Sequence, residues 1–125
     1  MIAGIGSDIV KVARIAAIAS RHGERFAKRI LTARELATYQ QAVNPIAFLA
    51  KRFAAKEAAA KALGTGIGKV SFHHLEISNN SRGAPKLTFH GHAARLQQQR
   101  NISHCHLTIA DEEDNAVAFV VLESI

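Results

Sequence analysis

Ser103-His104-Cys105-His106-Leu107-Thr108-Ile109-Ala110, then Asp111-Glu112-Glu113-Asp114, then Ala116-Val117-Ala118-Phe119-Val120-Val121-Leu122-Glu123, reads as two strands about an acidic turn. Apolar and β-branched residues flank a run of four carboxylates, so the segment predicts an antiparallel hairpin. Further strands are expected at 70–78 and 85–89, about the turn-like Asn79-Asn80-Ser81-Arg82-Gly83, with a short helix at about 91–100. The first half of the chain reads mainly as helix. Helices early and antiparallel strands late predict an α+β fold, an N-terminal strand and helices packed on a mainly antiparallel sheet, rather than a doubly wound parallel one.

That N-terminal strand is Ile2 to Val10, where alternation puts Gly4, Gly6 and Asp8 on one face and Ile5 and Ile9 on the other. Glycines on a strand face mark close approach of another group. From Lys11 to His22, Val12, Ile15, Ala16 and Ala19 fall within about 100° of arc, which predicts an amphipathic helix interrupted at Gly23. A helix follows at 24–30. Thr32-Ala33-Arg34-Glu35 matches a capping box opening another at 33–42, and Asn44-Pro45 opens the longest, 45–63, which Gly64-Thr65-Gly66-Ile67-Gly68 stops.

A length of 125 residues, 48% hydrophobic and 21% charged, predicts one globular domain over 1–125. Cys105 is the only cysteine, so no internal disulfide forms, and no uncharged run approaches the ~18 residues of a membrane span. The first eight residues lack a positive n-region and end on Asp8, unlike a signal peptide. Cytoplasm is the expected location.

The net charge of +6 invites a nucleic-acid reading. Its placement redirects that reading. Residues 11–34 hold seven bases and one acid, and the remaining nine bases and nine acids cancel. Arg14, Ile18 and Arg21 lie on the flank of the first helix, with Arg25 beyond, as a local docking surface for an acidic partner. A small basic nucleic-acid-binding protein using the same surface stands as the alternative, although aromatics at 6% offer few stacking platforms.

On a wheel centred on Glu57, Ile46, Ala50, Phe53, Ala54 and Ala60 fall within about 60°, and Lys61 at about 40°. Lys51, Arg52 and Lys56 fall on the far side. Two readings of Glu57 stand: a solvated i,i+4 pair with Lys61, or a carboxylate held on a small apolar face to bind something. Asp8 likewise reads as a turn or cap residue, or as a second carboxylate. Together Asp8 and Glu57 suit magnesium, which takes one or two protein carboxylates and fills its other positions with water and phosphate oxygens. Gly64-Thr65-Gly66-Ile67-Gly68-Lys69 is no Walker loop, because it follows a helix and Val70 stands where Ser or Thr is required. Seven histidines without HExxH do not make a zinc site, though His106 on its apolar strand is a candidate polar contact.

Gly4-Ile5-Gly6-Ser7-Asp8-Ile9-Val10 and Arg52-Phe53-Ala54-Ala55-Lys56-Glu57-Ala58-Ala59-Ala60-Lys61-Ala62-Leu63-Gly64-Thr65-Gly66-Ile67 closely resemble the paired motifs of the holo-[acyl-carrier-protein] synthases. The resemblance runs end to end at matching length. It implies the 4′-phosphopantetheinyl transferase-like fold and transfer of 4′-phosphopantetheine from coenzyme A to a serine of apo acyl carrier protein, with magnesium, releasing adenosine 3′,5′-bisphosphate for fatty acid biosynthesis. By the same resemblance Asp8 and Glu57 bind the metal, Glu57 and Lys61 serve catalysis, and Lys61, Arg52 and His106 contact coenzyme A. It further implies a homotrimer with active sites at subunit interfaces. Because the wheel opposes Arg52 to Glu57, a site using both needs a neighbouring subunit. One departure is visible: many relatives carry Ser-His where this chain has Ala110-Asp111.

Overall fold

The computed structural model describes all 125 residues. Strand β1 (Ile2–Lys11) leads into α1 (Val12–His22), α2 (Glu24–Ile30), α3 (Ala33–Gln41) and α4 (Pro45–Ala62). Then come β2 (Leu75–Asn79), β3 (Pro85–Phe89), α5 (Gly91–Gln99), β4 (Ile102–Asp111) and β5 (Asn115–Ser124). One antiparallel sheet has the order β1-β5-β4, and β2-β3 form a separate antiparallel hairpin. The expected α+β architecture is the observed one. No helix is long and apolar enough to cross a membrane.

Small residues decide how the layers meet. Helix α4 lies on the three-stranded sheet, burying Ala54, Ala55, Ala58, Ala59 and Ala62, while the facing strands present Gly4, Gly6, Ala116 and Ala118. A Cβ at Gly4 would sit on the Ala62 carbonyl oxygen, and one at Gly6 on that of Ala58. The close approach expected of those glycines is therefore to α4. Gly64 and Gly66 adopt positive φ of 75° and 64°, and the amides of Thr65 and Gly66 return to the Ala60 carbonyl, so this segment caps α4.

One expectation fails. The strand predicted from residue 70 starts only at Leu75, because Ser71 opens a 3₁₀ turn at Phe72–His74 instead. The His74 amide donates to the Ser71 carbonyl at 3.0 Å and the Ser71 amide donates to His74 Nδ1 at 3.1 Å. These local bonds win over the apolar pattern of a strand.

Thr32 closes the expected capping box: its hydroxyl accepts from the Glu35 amide at 3.3 Å, and Glu35 Oε1 accepts from the Thr32 amide at 2.8 Å. The Thr32 hydroxyl also donates to Glu76 Oε2 at 2.8 Å. That hydrogen bond holds the Glu76 carboxyl below the usual range, with smaller help from His90 and Arg34. A depressed folded pKa contributes stability above the unfolded pKa that is lost as pH falls through the folded one. Thr32→Ala should cost about 1 kcal/mol at neutral pH. Urea midpoints should show the gap between variant and wild type narrowing as the pH drops below ~4; a gap that widens in acid contradicts this account.

Candidate active site

Asp8 and Glu57 meet where the inner face of β1 crosses α4. Asp8 shares that face with Gly4 and Gly6, whose lack of side chains lets β1 lie against α4. Lys61, one turn beyond Glu57, donates to Asp8 Oδ1 at 3.1 Å and to the Ser7 carbonyl at 3.0 Å. Lys61 is exposed, whereas the Asp8 side chain keeps 17% of its surface. The solvated Glu57–Lys61 pair considered above is thus replaced by a bridge from Lys61 to β1. Burial pushes the Glu57 carboxyl up, and the Asp8 carboxylate pushes it further, while Lys61 and Arg14 oppose both.

Two carboxylates that repel each other suit a cation. No group of three or more His, Cys, Asp or Glu is placed to hold a metal ion, here or elsewhere in the chain. With two protein oxygens supplied here, a hard ion such as magnesium would keep several positions for water and phosphate oxygens, which fits its coordination habit.

Arg52 and His106 lie away from this place within one chain. Arg52 is buried on the opposite side of α4, where it donates to Asn79 Oδ1 at 3.1 Å and stacks over Phe48 at 4.6 Å. His106 stands on the outer face of the sheet, hydrogen-bonded to Glu123 and stacked on His104 with centroids 6.2 Å apart. That outer face is apolar and open, with Ile5 62%, Ile9 66% and Phe119 42% exposed.

Arg14, Arg21 and Arg25 are exposed as expected, and Ile18 is half-buried. Ile18 and Arg25 line a hollow of about 480 Å³ with His22, Phe26 and Arg29. Phe26 was missed by the charge-based reading, which weighed only the cations of α2. Arg14 acts on Glu57 as well, so it belongs to the edge of the carboxylate site as much as to the basic surface.

The structure also shows what covers the far side of the α4 wheel. Lys56 is fully buried and pairs with Glu35 at 2.6 Å, and Arg52 lies beside the same carboxylate. Helix α4 is enclosed nearly all round by α1, α3 and both sheets. Alanine around most of the wheel was the available signal, since a helix apolar on most sides is a buried one.

A family model for the 4′-phosphopantetheinyl transferase superfamily matches residues 4–120. A holo-[acyl-carrier-protein] synthase of Shewanella frigidimarina is 58% identical over 125 residues, covering 98% of each chain. Among solved structures, the holo-[acyl-carrier-protein] synthase of Neisseria meningitidis superposes with a TM-score of 0.94 at 46% identity, covering 99% of this chain and 100% of that one. That of Bacillus anthracis, in complex with CoA (3′,5′-ADP), superposes with a TM-score of 0.85 at 41% identity, covering 100% and 99%.

Proposed function

Since the chain belongs to the 4′-phosphopantetheinyl transferase superfamily, among its holo-[acyl-carrier-protein] synthases, we propose that it moves 4′-phosphopantetheine from coenzyme A to a serine of apo acyl carrier protein, with magnesium bound by Asp8 and Glu57. The observation that carries this reading is the Asp8 carboxylate acting on Glu57, with Lys61 Nζ 3.1 Å from Asp8, over a strand face stripped to glycine. Cytoplasmic location and service to fatty acid biosynthesis belong to the same proposal.

Attack of a serine hydroxyl on a diphosphate needs alignment and relief of growing negative charge more than covalent help. Magnesium, when bound, supplies charge neutralisation at the diphosphate oxygens. Lys61 adds a second cation there, free to turn from Asp8 toward phosphate because its side chain is half exposed. Glu57 and Asp8, set on a helix and a strand that pack together, are the residues that would hold the metal.

Coenzyme A contacts from Arg52 and His106 are then supplied across a subunit boundary. In support, the outer sheet face carrying His106 exposes Ile5, Ile9 and Phe119, an apolar surface suited to burial in the proposed homotrimer. Mixing inactive Glu57→Gln and His106→Ala subunits should restore activity at hybrid interfaces; no restoration, in a mixture proven by mass to contain hybrids, would refute shared sites.

The carrier protein is proposed to dock on the α1–α2 surface, with Ile18 and Phe26 beneath and Arg21 and Arg25 around. Because Arg14 also acts on Glu57, the informative variant is Arg21→Glu/Arg25→Glu. It should weaken carrier binding roughly tenfold or more and flatten its salt dependence, with coenzyme A binding unchanged. Calorimetry against apo carrier checks this, and wild-type affinity removes the docking surface from the account. The reaction itself is tested by chromatography of the released nucleotide: adenosine 3′,5′-bisphosphate should appear one for one with modified carrier, and modification without it would exclude the proposed transfer.

A further inference from the structure

Glu35, 3% exposed, sits between two buried cations, Lys56 at 0% and Arg52 at 7%. Every donor of the Lys56 ammonium is used: Glu35 Oε1 at 2.6 Å, the Ile30 carbonyl at 2.6 Å and the Phe72 carbonyl at 3.1 Å. Glu35 is pinned in turn by the Thr32 amide on Oε1 and the Ile77 amide on Oε2, each at 2.8 Å. Its position is therefore set by α3, α4 and β2 together.

Arg52 is held differently. Its Nε faces Glu35 Oε2 at 4.0 Å with no hydrogen bond, and it is the one buried side-chain nitrogen or oxygen without a partner. Of the five guanidinium donors, one reaches an acceptor, Asn79. The ring of Phe48 covers one face. What remains of the guanidinium lines two hollows, one with Arg34, Thr38 and Ser78, the other with Lys51 and Gly83. Glu76 lines the first hollow beside Glu35, yet most donors of the guanidinium lack an acceptor, a state that an anionic group entering the hollow relieves.

We propose that Glu35 is a positioning residue for substrate binding: it anchors the Nε edge of Arg52 so that the terminal amino groups face the hollow as a preformed receptor for a phosphate of coenzyme A. This rests on the reading above that Arg52 contacts coenzyme A. The competing view is that Glu35 serves only to neutralise Lys56. The two separate in Glu35→Gln/Lys56→Met, which removes both members of that pair and leaves no buried ammonium unpaired. Glu35→Asp is the second variant, keeping the negative charge in the cluster while drawing the carboxylate back from Lys56 and Arg52 alike.

Calorimetry of the full-length protein with coenzyme A should show both variants folded and binding roughly tenfold more weakly than wild type, within the range for coupled neighbours. Adding either change to Arg52→Ala should weaken binding no further than Arg52→Ala alone, a non-additivity that a general loss of structure does not produce. Wild-type affinity in either folded variant, or full additivity with Arg52→Ala, overturns the proposal. Wild-type affinity in Arg52→Ala also overturns it while leaving the transfer reaction standing. A wild-type protein that binds coenzyme A with these variant differences, yet modifies no carrier, would sink the transfer reading and leave the role of Glu35 intact.

Discussion

Glu57→Gln yields a folded protein that has lost magnesium-dependent modification of apo carrier protein, with turnover down on the order of 10²–10³-fold. The amide keeps the shape of the side chain but cannot supply the charge that complements a cation beside Asp8. Stability moves the other way. The Glu57 carboxyl is held above its usual range by burial first and by Asp8 second, so the folded state is penalised once the pH rises through that raised pKa. Gln removes the penalty, and the thermal midpoint at neutral pH should be equal to or above that of wild type. A variant that turns over at the wild-type rate, or one that is inactive only because it is unfolded, contradicts the role given to Glu57.

Gly6→Ala should be the most damaging single-methyl change in the molecule. Its Cβ would land on the Ala58 carbonyl oxygen and 2.6 Å from the Ala62 amide, both of them helix backbone that cannot rotate away. Strand and helix must separate, at about 3 kcal/mol, the upper end of ordinary overpacking. Against a typical total of about 5–15 kcal/mol this is a large fraction. Because Asp8 follows on the same strand face, separation also moves it relative to Glu57, so activity should fall further than the folded fraction does. Urea midpoints and turnover measured on the same sample check both parts. An unchanged midpoint would mean that β1 and α4 do not approach as described.

Much of the fold was legible because local signals agreed with one another. Thr32 with Glu35, Asn44 with Pro45, and Gly64 with Gly66 each mark a helix end by backbone chemistry that needs no distant partner. The hairpin of β4 and β5 was equally plain from the acidic turn between apolar runs. Asp8 and Glu57 were readable as a pair for a different reason: each is a carboxylate on a face made mainly of small or apolar residues.

What stayed hidden depended on distant contacts. Glu35 read as a cap residue alone, yet it meets Lys56 from 21 positions away and the Ile77 amide from 42. A helical wheel reports which residues share a face, not which element will cover that face. The same limit applies to Arg52: the wheel sets it opposite Glu57 without showing the elements that bury it. At 72–74 the reverse occurred, and a Ser71–His74 turn too short to leave a periodic pattern displaced the start of a strand.

The most direct measurement is the intact mass of apo acyl carrier protein after incubation with this protein, coenzyme A and magnesium. The account predicts a gain of one phosphopantetheine per carrier, abolished by chelation and restored by added magnesium, and absent with Glu57→Gln. A carrier mass that stays unchanged with folded wild-type protein, or that rises equally after chelation, would contradict it.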